Sequence, residues 1–163
     1  MKKNILETAL INGYTQKTDE RIAFIGAVDE LSCHIMELYH FINEDYVKEK
    51  LISIIQNLSL IMGIVVGSNK VFDECILEQL LNQIKVYQKM RKNITSFLLP
   101  GQTLMASKIH IVRAITRRVE LAYAKVYEKY TGDDNIFEYL NKLSSYFYEL
   151  SFRYEKLKIE NNN

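Results

Sequence analysis

Apolar residues recur at alternating three- and four-residue steps along four stretches of this chain, the period of a helix with one buried face. One stretch runs Phe24, Val28, Leu31, Ile35, Leu38, Ile42. A second runs Val47, Leu51, Ile54, Leu58, Ile61, Val65 and closes near Gly67-Ser68-Asn69, a helix-stop signal. A third is Val112, Ile115, Val119, Ala122, Val126, and a fourth is Ile136, Leu140, Leu143, Phe147, Leu150, Tyr154, Leu157. A weaker helix lies around Leu77, Leu81, Ile84 and Tyr87. No period-two alternation predicts a strand. The joins fall at Asn43–Asp45, Asn69–Asp73, Lys92–Thr103 and Thr131–Asp134. Most are short, so neighbouring helices should run antiparallel. The expected fold is all-α, a five-helix bundle.

Composition narrows this further. One proline and six glycines in 163 residues leave few interruptions to long helices. The length suits one domain, read as residues 1–163, with an N-terminal segment 1–16, the bundle 17–158 and a polar tail 159–163. Twenty-one Lys and Arg against 20 Asp and Glu give a net charge of +1, which leaves no electrostatic footprint for nucleic acid or an anionic membrane. The longest apolar run, Leu58 to Val66, is far short of the roughly 20 residues of a membrane span. The N-terminal lysines are followed by no apolar secretory core. Cys33 and Cys75, with no histidine at metal-ligand spacing, fit buried reduced thiols. The expectation is a cytoplasmic protein.

Two features exceed what a bundle needs. The Lys92–Thr103 join is long and carries Ser96-Phe97-Leu98-Leu99-Pro100-Gly101, an apolar loop with the chain's single proline. It is either a cap over the bundle end or a rigid wall of a pocket. On the helix that follows, His110, Arg113, Arg117 and Glu120 form a polar stripe offset by one residue, roughly 100°, from the apolar stripe beginning at Val112. Arg118 sits beside it. Ala106, Ala114, Leu121 and Ala124 give that helix further apolar surface, so it is expected to be covered on several sides. Guanidiniums there need a carboxylate, a phosphate or a water-filled cleft, because an unpaired buried charge is costly. Their fork geometry suits a polyphosphate; an ion-pair network is the other reading. Glu120 is in reach of Arg117 and suits a ribose hydroxyl equally well. Asp29, one residue off the first apolar stripe, is a natural arginine partner, within the chain or across an oligomer interface.

The run from Phe97-Leu-Leu-Pro-Gly-Gln through His110-Ile-Val-Arg-Ala-Ile-Thr-Arg-Arg-Val-Glu120 resembles the signature of PduO-type ATP:cob(I)alamin adenosyltransferases. In that family an F-x-L-P-G-G loop leads into a helix with H-x-x-R-x-x-x-R-R-x-E. Lys17-Thr18-Asp19-Glu20-Arg21 with Val28-Asp29-Glu30-Leu31 is similar to its K-D-D-x-R and V-D-E-L segment, and Tyr139-Leu-Asn-Lys-Leu-Ser144 to its F-L-N-R-L-S segment. The likeness spans about residues 17 to 157. It implies a homotrimer of five-helix bundles with sites between subunits, and as substrates ATP, with Mg2+, and cobalamin. A reductase is a possible partner. It also implies that Co(I) attacks C5′ of ATP and releases triphosphate. Carried over, Lys17, Arg117, Arg118, Glu120 and Asn141 would contact ATP. Arg113 would pair with Asp29 of a neighbouring subunit, and Phe97 would occupy the lower face of the corrin.

The chain departs from this pattern at its start. The family's T-x-T-G-D-x-G-x-T loop, whose backbone amides wrap phosphate, has no counterpart in Met1 to Gln16, where Thr8-Ala9-Leu10 echoes only the T-S-L that follows it. Ser145 stands where the family has Asp, Gln102 at the second glycine of P-G-G, and Leu121 at a usual Arg. Two readings follow: an adenosyltransferase that holds ATP differently, or a non-catalytic corrinoid- or nucleotide-binding relative, a carrier or sensor.

Overall fold

The computed structural model describes residues 5–91 and 99–155. Five helices follow a short hairpin: β1 Glu7–Leu10, β2 Gly13–Gln16, α1 Glu20–Phe41, α2 Asp45–Val65, α3 Glu74–Met90, α4 Leu104–Tyr130 and α5 Asp134–Ser151. Helix starts are chemically marked. Asp19, Asp73, Thr103 and Asp133 each accept a backbone N–H of the first turn through the side chain, which satisfies donors that the helix itself leaves free.

The apolar stripes are the core. Phe24, Val28, Leu31 and Ile35 of α1 are fully buried, as are Leu51, Ile54 and Leu58 of α2 and Leu140, Leu143 and Phe147 of α5. Each such side chain contributes about 2 kcal/mol of burial free energy. In α3 the buried positions are Leu77, Leu80, Ile84 and Tyr87, so Leu80 takes the full burial expected of Leu81, which packs at the margin. The helix α4 packs most extensively on α5 and α1, α3 on α5, and α2 on α1. The α4–α5 seam therefore lies at the centre of the bundle.

Three expectations are corrected. A hairpin exists where no strand was expected: β1 and β2 pair antiparallel with Thr8 opposite Thr15 and Ala9 opposite Tyr14. Two strands of four residues with little buried surface carry no apolar alternation to read. The hairpin is instead pinned by polar groups, since its tip Asn12 Nδ2 donates to the carbonyl of Gly67 at 3.0 Å. Cys33 and Cys75 are exposed free thiols, not buried ones. On α4, Ala114 and Leu121 are exposed, so this chain alone leaves part of that helix uncovered. No helix among the described residues is long and apolar enough to cross a membrane.

Candidate functional site

The polar stripe of α4 faces α5 along their antiparallel seam. His110 Nε2 lies 3.1 Å from Glu155 Oε1, and the Arg113 guanidinium lies 5.8 Å from the centroid of the Tyr148 ring. Asn141 Nδ2 donates to Glu120 Oε1 at 2.8 Å, and the Tyr127 hydroxyl donates to the Asp134 carboxylate. These rungs put the turn containing Ser144 and Ser145 level with Arg117. Where the family carries an aspartate, this chain has a serine that cannot neutralise a guanidinium.

The arginines differ sharply in how they are satisfied. Arg117 is exposed and has neither hydrogen bond nor ion pair among the described residues. Arg113 is half-buried, its Nε is buried without a partner, and its one contact is the face of Tyr148. Arg118 donates to Glu30 Oε1 at 2.6 Å across α1, with side chains 60% and 47% exposed, so water competes strongly for that pair. Glu120 takes Asn141 as its partner, so the expected option of an Arg117 pair is not used. Asp29 is exposed and holds no arginine of its own chain; its neighbour Glu30 holds Arg118 instead.

Beyond Glu120 the seam opens into a groove of about 610 Å³ lined by Ala124, Tyr127, Glu128, Asp134, Phe137, Glu138, Asn141 and Lys142. Its apolar floor and carboxylate rim suit an uncharged, hydroxyl-bearing group. The arginine end suits an anion instead. Lys17 is exposed and follows the hairpin. Lys17 comes just before Asp19, which accepts from the Tyr130 hydroxyl at 2.8 Å, and Tyr130 lies about 20 Å along α4 from Arg117. The structure thus gathers Arg113, Arg117, Glu120 and Asn141 on one seam and leaves Lys17 at its far end. Phe97 lies outside the described residues. Among the described residues no group of three His, Cys, Asp or Glu could hold a metal ion.

Two further features were not anticipated. Asp19 accepts Thr15 Oγ1 at 2.6 Å, Tyr130 OH at 2.8 Å and Arg21 through Nε at 3.0 Å and Nη2 at 2.8 Å. Arg21 also stacks 4.3 Å from the centroid of Tyr130. The guanidinium beside it holds the Asp19 carboxyl well below the usual carboxylate range. Glu155, past the last helix, accepts the N–H groups of Gly101 and Gln102. In the sequence Asp19 and Arg21 carry only the likeness to the K-D-D-x-R segment; a single acid after α5 gives no signal at all.

The same fold is found in PduO-type ATP:corrinoid adenosyltransferases. An arginine-to-lysine variant of that enzyme from Lactobacillus reuteri, complexed with ATP, superimposes with a TM-score of 0.85 at 26% identity, over 94% of this chain and 93% of that one. A phenylalanine-to-alanine variant complexed with cobalamin and ATP gives 0.83 at 26% identity, over 93% and 90%. The corrinoid adenosyltransferase of Bacillus subtilis is 29% identical over 87% of this chain and 78% of its own length. The cobalamin adenosyltransferase profile matches residues 6–154, and the chain belongs to that family.

Proposed function

We propose that this protein transfers the 5′-deoxyadenosyl group of ATP to a cobalamin, with release of triphosphate, as a cytoplasmic homotrimer whose chains each act as one domain. The observation that carries the reading is the pair of unneutralised guanidiniums, Arg113 and Arg117, on the seam that opens into the groove.

In this reading the groove and the Glu120–Asn141 pair receive the nucleoside, whose ribose hydroxyls suit those acceptors. Arg117, with Arg118 released from Glu30, grips the triphosphate. Lys17 reaches it from the hairpin side of a neighbouring copy. A one-electron donor, a reductase, converts cob(II)alamin to Co(I). The Co(I) electron pair forms the bond to C5′ as the C5′–O bond breaks, and the departing triphosphate carries the electrons of that bond. Arginines already in place stabilise the charge that builds there. Phe97 provides an apolar lower face that keeps a donor ligand off cobalt, which makes Co(II) easier to reduce.

Arg113 and Asp29 find each other across subunits. Neither has a salt-bridge partner among the described residues of its own chain. The outer face of α4 also leaves Leu104, Ile111 and Leu121 between 51% and 70% exposed, an apolar stripe that a second copy would cover.

The test mixes protein, ATP, cob(II)alamin and a strong reductant and follows the corrinoid spectrum. Adenosylcobalamin formation is expected. A base-off cob(II)alamin spectrum without product would make the chain a binding relative, and neither signal would remove both readings.

A further inference from the structure

We infer that Glu155 is a positioning residue for the corrinoid side of the site, acting through the turn that ends the apolar loop; this rests on the reading of that loop as the corrin wall. The Glu155 side chain is only 3% exposed, although it lies beyond the last helix. A carboxylate so placed needs several donors, and it has three. Gly101 N–H donates to Oε1 at 2.6 Å, Gln102 N–H donates to Oε2 at 2.9 Å, and His110 Nε2 stands 3.1 Å from Oε1. The His110 ring nitrogen is in hydrogen-bond reach of that carboxylate oxygen.

Other bonds close the same knot. Thr103 Oγ1 donates to the carbonyl of Tyr154 at 2.6 Å, and Ser107 Oγ donates to the carbonyl of Gly101 at 2.7 Å. Gly101 has φ +81, and a Cβ there would come within 2.8 Å of Ser107 Oγ, so the turn admits glycine alone. The segment after α5 is thereby tied to the Pro100–Gly101–Gln102 turn and, through His110, to the first turns of the arginine helix. Leu99, the last apolar residue of the loop, is 70% exposed. The polar knot follows it directly in the chain. Two of the three bonds go to backbone amides, which any residue but proline supplies at position 102; the Gln102 departure from P-G-G leaves the knot intact.

The experiment compares the full-length protein with its Glu155→Ala and Glu155→Gln variants. Three quantities are read: the Michaelis constants for cob(II)alamin and ATP, the fraction of bound cob(II)alamin in the base-off form, and amide exchange at Gly101 and Gln102. For Glu155→Ala the corrinoid constant should rise about tenfold and the base-off fraction fall, with the ATP constant within about twofold, the scale of losing charge-assisted bonds at one locus. Glu155→Gln keeps one accepting oxygen and should recover part of the loss. Exchange at the two amides should accelerate about tenfold or more while α1 amides are unchanged. An unaltered corrinoid constant, or equal rises for both substrates, overturns the inference. Should the wild-type protein show neither turnover nor a base-off spectrum, the corrinoid reading fails by itself, and unaltered amide exchange in Glu155→Ala then overturns the knot separately.

Discussion

Arg21 and Arg117 are the same side chain in opposite circumstances. Arg21 makes a two-pronged pair with Asp19 and lies on the Tyr130 ring, and that carboxylate is shared with Thr15 and Tyr130. Its charge is spent inside the fold, joining the hairpin, the start of α1 and the end of α4. Arg117 stands opposite Ser144 and Ser145 with no partner among the described residues. Water solvates that exposed guanidinium, so leaving it unpaired costs the fold little, and its charge stays available to a ligand. The contrast separates an arginine that builds the bundle from one that the proposed function assigns to a substrate.

The sharpest way to break the contrast is Arg117→Ala. Turnover should fall by about 100-fold or more, the scale of removing one charge-stabilising donor from a transition state, while the thermal midpoint stays put. A folded variant of wild-type activity would put Arg117 with the bystanders. Next in size are Asp29→Arg and Arg113→Asp. Each alone should shift sedimentation from trimer toward smaller species, and the double exchange should restore the trimer. Retention of the trimer in both single variants would locate the interface elsewhere.

The structural arginine predicts a different signature. Asp19→Asn should lower stability by about 1–3 kcal/mol near neutral pH, with thermal unfolding as the measure. The Asp19 carboxyl is held low in the folded state, so on acidification the unfolded chain takes up this proton first. The stabilisation is therefore complete above the unfolded value of about 3.9 and is lost as pH falls from there toward the depressed folded value. The gap between wild type and Asp19→Asn should shrink from about pH 4 downward; a constant gap would mean that the hub is not electrostatic. Arg118→Ala should change stability least, by under about 1 kcal/mol, because its pair with Glu30 is exposed, and yet it should weaken ATP binding several-fold. An unchanged ATP constant would return Arg118 to the surface.

The helices were legible because a core repeats its signal every three or four residues, from Phe24 to Ile42 and again from Ile136 to Leu150. The arginine stripe was legible for the same reason, since its offset from Val112 is a periodic fact. The hairpin was not, because its order comes from Asn12 on Gly67 and from the Asp19 hub, contacts that join residues distant in sequence. The fate of each charge was hidden likewise. Spacing puts Glu120 in reach of Arg117, but only the helix register reveals Asn141 as its partner. Glu155 shows the limit most plainly: nothing near it in sequence says that it closes on Gly101 and His110.

The central claim is that the free guanidinium of α4 is a seat for polyphosphate, and calorimetric titration of ATP into the wild-type protein and Arg117→Ala tests it most directly. Saturable binding should weaken at least about tenfold in the variant, a difference of roughly 1.4 kcal/mol. Equal affinity in the two proteins would contradict it.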